Sequence, residues 1–463
     1  MWHDSDHLFT VTSPLSGQPL AQVTSATSKH TELAIQAAVA AQSVWAKCAS
    51  AKRIEVLLRW SDVLTEHHEQ LAQLIHQECG KVLNEAASEV MHGVSLLRWY
   101  AERLAQEESH ESVGMSETGC QLITLSQPVG VVGCITPWNF PLASVLVKVG
   151  AALAAGCACV VKPSEYTPLI ALRVAELASV AQLPPGLLNV LPTADPAAVA
   201  AVLCQHADVR MLSFTGSTAV GRALYAAAGQ TVKRLALELG GNAPFIVFDD
   251  ADIPLAVNCA MNARFYNSGQ ICVGANRFLV HDAVYEPFAE ALTERVKQLT
   301  AGPLADIGPL IHQAAVGRIE ELIADALAQG AILRCGGKRG DLGLSYFAPT
   351  VLDGMTHAMR AASEEIFGPI VCLYRFTSDE EAFQFANETE AGLAAYVFTQ
   401  NAQRLNHAAH VLQAGAIGLN TSELFHLNLP FGGIKQSGIG KEQGLHCLDE
   451  FREIKSIATK VSP

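Results

Sequence analysis

Three side chains stand in settings that could do chemistry, and each suits a different step. Cys272 closes the polar stretch Asn267-Ser268-Gly269-Gln270-Ile271-Cys272. A thiol in a partly exposed, electropositive or helix-terminal setting becomes a thiolate nucleophile, whereas one in an apolar interior is inert. Glu238 is a lone charge in Leu237-Glu238-Leu239-Gly240-Gly241. A Glu between two leucines on a strand ordinarily faces water; buried instead, its pKa rises and it can act as a general base. Asn139 lies in Pro137-Trp138-Asn139-Phe140-Pro141. The flanking prolines fix the backbone, so the amide can be aimed as an oxyanion donor. Taken singly, each of the three also has an ordinary packing explanation.

A fourth signal is a glycine turn. Phe214-Thr215-Gly216-Ser217-Thr218 follows a predicted strand and precedes a predicted helix ending near Ala228. Such a turn puts backbone N–H groups and hydroxyls at a helix N-terminus, a natural site for a pyrophosphate. It is neither G-x-G-x-x-G nor a P-loop, because Gly221 is followed by Arg222-Ala223. The run Asp249, Asp250, Asp252 is better explained as a turn and helix cap than as a metal site, with Pro254 in the first helical turn. No Cys/His cluster has zinc-ligand spacing, so no metal is expected. Cys157 and Cys159 sit in an apolar stretch and are expected to be buried thiols.

The elements that must position these groups alternate in character. The first 110 residues are expected to be mostly helical, with apolar residues every three or four positions in 31–46, 52–79 and 85–108, and Gly80 placed to end the second. Residues 111–127 are polar, with strand-like alternation at 120–125. This hairpin-like insertion has little core of its own, which suits packing against another subunit. From residue 129, short buried strands at 129–135, 158–161, 187–191 and 209–214 alternate with Ala-rich helical segments. A second such unit has strands at 244–248, 277–280, 370–375 and 394–399, and the tail 442–463 again alternates like a strand. Strands alternating with helices imply an α/β fold with parallel sheets covered on both faces.

Composition bounds the remaining possibilities. A chain of 463 residues, half of them hydrophobic and 16% charged, suits two or three domains with large cores. No apolar run is long enough to span a membrane, and residues 1–20 carry Asp4 and Asp6 but no Lys or Arg. That start lacks the pattern of a signal peptide, so a cytoplasmic location is expected. The net charge of −14 is spread along the chain without a basic stripe, so nucleic acid is not an expected partner. Twelve cysteines without C-x-x-C spacing do not suggest a disulfide framework.

Seven motifs occur together in one order: Pro137 through Pro141, Lys162-Pro163-Ser164-Glu165, Phe214 through Thr218, Leu237 through Gly241, Gly269 through Cys272, Glu364-Glu365-Ile366-Phe367-Gly368-Pro369, and Pro430-Phe431-Gly432-Gly433. In that order the chain resembles the aldehyde dehydrogenase superfamily, from about residue 10 to 460. The resemblance implies an aldehyde dehydrogenase-like fold: a Rossmann-like NAD(P)-binding domain (1–109 and 129–240), an α/β catalytic domain (241–440), and an oligomerisation arm (110–128 and 441–463) that makes a homodimer or homotetramer. Carried over by motif, Cys272 is the nucleophile and Glu238 the base that activates water. The Asn139 side chain and the Cys272 N–H form the oxyanion hole, and Lys148 matches a lysine linked to proton relay. Lys162, Ser164 and Glu165 would meet the adenosine side of the coenzyme, Trp138, Gly216 and Ser217 its phosphates, and Glu365 and Phe367 the nicotinamide half. A carboxylate at Glu165 suits a free 2′-hydroxyl and repels a 2′-phosphate, so NAD is expected in preference to NADP.

Within the family the chain resembles succinate-semialdehyde dehydrogenase-like members, in 265–277 and 430–444. It departs from them in the substrate pocket. Val147 and Tyr266 stand where those enzymes carry arginines, and Phe425 where they carry a loop serine. A pocket without those cations leaves a substrate carboxylate unpaired, so an uncharged, apolar aldehyde is expected, aromatic or of medium chain length. Gly274 stands where some relatives place a second cysteine, which disfavours a disulfide switch there. The rival readings are succinate semialdehyde itself, acyl transfer to coenzyme A, which the presence of Glu238 argues against, and an inactive binding or structural homologue, against which Cys272, Glu238 and the coenzyme turn all stand.

Overall fold

Short, largely apolar runs, such as Val131–Ile135 (VVGCI) and Ala158–Lys162 (ACVVK), are fully buried strands of a parallel sheet. The computed structural model describes residues 7–106, 110–117, 119–302, 305–340, 342, 343 and 345–460. Asp4 and Asp6, and the segment ends at 107–109 and 461–463, lie outside the described residues.

The amino-terminal part opens on an antiparallel pair, β1 (Leu8–Thr12) and β2 (Pro19–Thr24), which the helical reading of this region does not anticipate. Four helices follow: α1 (Ser28–Trp45), α2 (Ser50–Glu66), α3 (His68–Cys79) and α4 (Leu83–Gln106). The predicted helix over 52–79 is two helices. His67 leaves helical geometry, and the rings of His67 and His68 bind the carbonyls of Val63 and Thr65 at 2.9 and 3.0 Å, so side chains replace the next backbone turn. Gly80 ends α3 in the left-handed conformation, as its type predicts.

After the hairpin β3 (His110–Met115) and β4 (Gln121–Pro128), the chain builds its first large sheet from β5 (Val131–Ile135), β6 (Ala158–Lys162), β7 (Leu188–Val190), β8 (Val209–Thr215) and β9 (Arg234–Glu238). Helices α5 (Ala143–Ala155), α6 (Pro168–Val180), α7 (Pro196–Gln205) and α8 (Thr218–Ala228) connect them. The second sheet uses β10 (Ala243–Val247), β11 (Ala275–His281), β12 (Ile332–Cys335), β13 (Thr350–Asp353), β14 (Ile370–Phe376), β15 (Ala394–Phe398) and β16 (Ala416–Leu419), with helices α9 (Ile253–Phe265), α10 (Tyr285–Lys297), α11 (Gln313–Ala328), α12 (Arg360–Ser363), α13 (Asp379–Asn387) and α14 (Ala402–Val411). The tail adds β17 (Pro430–Phe431), β18 (Gly438–Ile439), β19 (Glu442–Gln443) and β20 (Arg452–Thr459).

The first sheet runs β18-β9-β8-β5-β6-β7, parallel except for β18, and the second β12-β13-β14-β11-β10-β15-β16, parallel except for β12. A third sheet, β20-β4-β3, joins the tail to the hairpin, with Gln121 opposite Thr459. One hydrophobic cluster covers the first sheet and the first eight helices, and also takes in Cys447, Leu448 and Phe451 of the tail. Two more lie on opposite faces of the second sheet. Alternate residues of a single strand serve each face, Phe245 and Val247 one, Ile246 the other. The acidic run before α9 is indeed a turn and cap: Asp252 caps the helix at Leu255, and Asp249 and Asp250 pair with Arg404. Among the described residues no helix is long and apolar enough to cross a membrane.

Candidate active site

Strand order decides where a site can form. In the first sheet the connections run one way from β5 to β6 and β7, then reverse to β8 and β9, and such a switch opens a crevice at the carboxyl ends of the central strands. Residues just past β5, β8 and β9 (Trp138, Asn139, Gly216, Ser217, Leu239) line a cavity of about 640 Å³. Its opposite wall comes from residues just ahead of β11 and β14: Ile271, Cys272, Glu365 and Phe367. Cys272, Glu238 and Asn139 thus line one cavity, between residues that follow strands of the first sheet and residues that precede strands of the second.

The loop that presents Cys272 is held on every side. Asn267 and Ser268 adopt left-handed backbone angles, φ 49° and 57°, ahead of Gly269, a conformation that non-glycine residues keep only when neighbours enforce it. The enforcing contacts are visible. Glu85 accepts from the Asn267 N–H at 3.0 Å, Ser268 Oγ donates to the Gly308 carbonyl at 2.9 Å, and Gln270 Oε1 accepts from Ile311 N–H at 2.9 Å. Asn139 Nδ2 donates to the Gln270 carbonyl at 3.0 Å, which ties Asn139 to the cysteine loop. A Cβ on Gly241 would stand 2.3 Å from the Cys272 carbonyl, so only glycine lets that strand approach pass. Burial, Glu238 and Glu365 push the Cys272 thiol well above its ordinary range, while the backbone N–H groups of Cys272 and Val273 pull it down. Of the settings expected of a reactive cysteine, Cys272 has partial exposure but not an electropositive surround. Two carboxylates stand near the thiol instead.

Glu238 does not face water. It is buried at the end of β9, where Gly433 N–H donates to its Oε1 at 3.1 Å. Burial first, and Glu442 second, raise its pKa to about 8, against the opposing pull of Lys148, Gly433 and Lys441. That is the environment in which a carboxylate serves as a base at neutral to mildly alkaline pH. Lys148 is buried in α5, with Nζ 2.6 Å from Glu442 Oε1 and 3.2 Å from Ser213 Oγ. Glu442, which the sequence reading did not single out, lines the cavity, pairs with Lys148 and raises the pKa of Glu238. Its only signal was a carboxylate in the glycine-rich run Gly440-Lys441-Glu442-Gln443-Gly444.

On the coenzyme side, Ser217 caps α8, its Oγ accepting from Val220 N–H at 3.4 Å, and α8 packs tightly because a Cβ on Gly221 would meet Leu239 at 2.4 Å. Glu365 accepts from Gly241 N–H at 3.1 Å and is raised to about 7 by burial. Phe367, left-handed at φ 53°, meets Trp138 edge to face with centroids 5.6 Å apart. Lys162 and Glu165 pair at 3.3 Å beyond the end of β6, and burial lowers the lysine's pKa. These two and Ser164 lie outside the main cavity, as an extended dinucleotide running along the strand ends requires. The residues therefore fit such a coenzyme: a helix N-terminus at the switch point for phosphate, and polar groups farther along the same edge for a ribose.

The third part of the cavity is aromatic. Tyr266 stacks on Phe140 with centroids 6.1 Å apart and planes 11° apart, and burial pushes its hydroxyl up to about 12. Phe425, partly exposed, lies against Phe431 at 4.9 Å, and Val147 completes this wall. Burial keeps His92 below its usual pKa, hence neutral. Among the described lining residues the one permanent cation is Arg318, which donates to the Glu365 carbonyl. Lys81 lies behind the wall, 3.9 Å over the Phe140 ring, and is paired with Glu89. Among the described residues no cluster of three or more His, Cys, Asp or Glu could hold a metal ion.

The model of the aldehyde dehydrogenase family matches residues 2–457. The mitochondrial succinate-semialdehyde dehydrogenase of Arabidopsis thaliana is 46% identical, over 98% of this chain and 87% of its own length. A probable succinate-semialdehyde dehydrogenase [NADP(+)] of Sinorhizobium fredii is 44% identical, over 96% of this chain and 92% of its own. The crystal structure of succinate-semialdehyde dehydrogenase from Burkholderia pseudomallei superposes with a TM-score of 0.98 at 44% identity, covering 100% of this chain and 96% of that one. With the fold, the order of the motifs and the residues lining the cavity in agreement, the chain belongs to the aldehyde dehydrogenase family, oxidoreductases of NAD(P)-dependent aldehyde oxidation.

Proposed function

We propose that the protein oxidises an uncharged, apolar aldehyde, aromatic or of medium chain length, to its carboxylate by way of a thioester on Cys272. The observation that carries the substrate class is the wall formed by Val147, Phe140, Tyr266, Phe425 and Phe431, behind which the buried Lys81 is already neutralised by Glu89. A substrate carboxylate there would be desolvated without a partner.

The chemistry assigned to the chain's own residues runs as follows. The Cys272 thiol gives its proton to solvent, and the sulfur adds to the aldehyde carbon to give a thiohemiacetal. Its oxyanion is met by the Cys272 N–H and by the Asn139 N–H that Gln270 leaves free. Bound NAD(P) supplies the hydride acceptor. Glu238 then deprotonates water, the water oxygen adds to the thioester carbon, and the C–S bond breaks to release the acid. After the acid is released, Glu238 discharges its proton toward Glu442 and Lys148. A buried base beside the thiol favours hydrolysis over acyl transfer to coenzyme A.

NAD is the coenzyme favoured by Glu165, whose carboxylate repels a 2′-phosphate. The NADP reading rests on the adjacent Lys162 and on the [NADP(+)] in three relatives' names. We read 1–109 with 129–240 as the coenzyme domain, 241–440 as the catalytic domain, and 110–128 with 441–463 as an arm. The edge strands β3 and β20 of that arm expose Val113, Met115 and Ile454, which supports assembly into a dimer or tetramer.

The test is reduced-coenzyme absorbance with NAD, then NADP, against benzaldehyde, hexanal and succinate semialdehyde, for wild type and Cys272→Ala. Turnover of the two uncharged aldehydes that vanishes in the variant is the expected result. The names of the relatives favour a second reading, and a strong preference for succinate semialdehyde would establish it and overturn the apolar pocket.

A further inference from the structure

The base is held by a turn, and the turn is held by a lysine that does not reach the cavity. Glu238 accepts a hydrogen bond from Gly433 N–H, in the segment between β17 and β18. That segment leaves the base little freedom. A Cβ on Gly432 would come within 2.9 Å of Glu238 Oε1 and 3.0 Å of Lys441 Cδ, and a Cβ on Gly433 within 2.5 Å of Ser437. The turn is thus packed between the carboxylate on one side and the Lys441 side chain on the other. Lys441 Nζ donates to the carbonyls of both Gly432 and Gly433, the second at 3.4 Å. Its own backbone N–H donates to Glu450 Oε1 at 3.3 Å, and Glu450 Oε2 lies 3.9 Å from Arg234 Nε at the start of β9. Lys441 is half-buried and is not among the residues lining the cavity.

We propose that Lys441 is a positioning residue for the general base: by holding both glycine carbonyls it fixes the turn whose N–H aims Glu238 at the thioester. The proposal rests on the reading of Glu238 as the base. The step it serves is hydrolysis alone. There the water oxygen bonds to the acyl carbon, the water proton goes to Glu238, and the C–S bond breaks with the electron pair returning to Cys272 sulfur. Formation of the thioester precedes this step and does not use Lys441. Loss of the lysine therefore slows release of the acid and leaves the first turnover intact.

Rapid-mixing kinetics with NAD and benzaldehyde, on wild type, Lys441→Met, Lys441→Arg and Glu238→Gln, read this split. Lys441→Met is expected to give a full first-turnover burst of reduced coenzyme, one per subunit, followed by a steady-state rate about 10- to 100-fold below wild type, the effect of a misplaced catalytic group. Intact-protein mass spectrometry during turnover should show the benzoyl adduct on Cys272 accumulating. Lys441→Arg, which keeps two donors for the carbonyls, should recover to within about threefold. A steady-state rate within twofold of wild type in Lys441→Met overturns the proposal, and so does a burst that falls in proportion to the steady state. Should Lys441→Met be insoluble, Lys441→Gln carries the same two criteria. If Glu238→Gln itself turns over at the wild-type rate, the base reading falls and Lys441 with it. If Glu238→Gln stalls at the adduct while Lys441→Met does not, only the role of Lys441 falls.

Discussion

Two lysine–glutamate pairs are buried beside the same cavity, and they are different devices. In the first, Lys81 and Glu89 both have fully buried side chains. Glu89 Oε1 also accepts from Leu142 N–H at 2.9 Å and Ala143 N–H at 3.1 Å, and Lys81 lies over the Phe140 ring. Both carboxylate oxygens are engaged, and the pair ties the α3–α4 connection to the start of α5. In the second, Lys148 is buried but Glu442 is 16% exposed, has one oxygen engaged, and lines the cavity beside Glu238. With donors on both of its oxygens, Glu89 fixes three elements in place. A pair left partly open can exchange protons with a neighbour. The difference between structural and functional ion pairs here lies in what else the carboxylate bonds, not in burial of the lysine.

The sharpest way to break this comparison is to remove one partner from each pair. Lys81→Met strands Glu89 in the interior, and breaking a buried pair costs about 3–5 kcal/mol. A large fall in urea midpoint is therefore expected, with residual activity in whatever stays folded. Glu442→Gln leaves Lys148 its Ser213 contact and an amide oxygen, so the urea midpoint should move little. Its effect should instead be a fall in steady-state turnover of about 100-fold, the range of a lost proton-transfer group. If Lys81→Met melts like wild type, or if Glu442→Gln loses stability and activity together, the two pairs are not different in kind.

A smaller effect sharpens the second pair. Hydrolysis needs ionised Glu238, whose pKa is held at about 8, so turnover should rise with pH through about 8. The groups that face this carboxylate are Glu442, Lys148, Lys441 and Cys272. Glu442 raises its pKa and Lys148 lowers it. Glu442→Gln should then move the acid limb of the pH–rate profile to lower pH, and Lys148→Met should move it to higher pH. Each shift is expected to be about one pH unit, equivalent to about 1.4 kcal/mol. Shifts of the same sign in both variants would show that the limb belongs to another group.

What the sequence made legible follows the range of the interactions involved. Apolar runs such as 131–135 and 158–161 identified strands because a strand buried on both faces is apolar at nearly every position. Gly80, Asp252 and Ser217 marked helix ends because caps are local chemistry. The β1–β2 pair was missed because its five- and six-residue strands are largely exposed and carry little pattern. The break at His67 depends on two side-chain bonds to carbonyls that no periodicity encodes. In the site, Cys272, Glu238 and Asn139 could be named from motif and residue type, but the burial of Glu238 could not. Its neighbours Glu442 and Gly433 lie 204 and 195 positions away along the chain, 442 − 238 and 433 − 238, and only the packed tail brings them there. The acidic rather than basic surroundings of Cys272 were hidden for the same reason, since Glu238 and Glu365 come from opposite walls.

The smallest effect concerns the next residue along, Gln443, which has neither a saturated nor a half-open partner. It is buried, it lines the cavity, its backbone is left-handed at φ 60°, and its Oε1 has no hydrogen-bond partner among the described residues. Left-handed backbone costs a non-glycine residue about 1 kcal/mol, and an unpaired buried acceptor costs about as much again. Gln443→Gly removes both terms and loses side-chain packing plus about 0.5–1 kcal/mol of glycine backbone entropy. The balance should be a gain of about 1 kcal/mol or less, seen as a thermal midpoint raised by about 1–2 °C in a chain of this size. Turnover of hexanal should stay within about twofold of wild type, because Glu442 and Glu238 keep their contacts. A clear loss of stability would mean that the amide is satisfied in solution. It would then belong with Glu89 among the groups that hold the cavity wall, rather than standing as the one strained position beside the base.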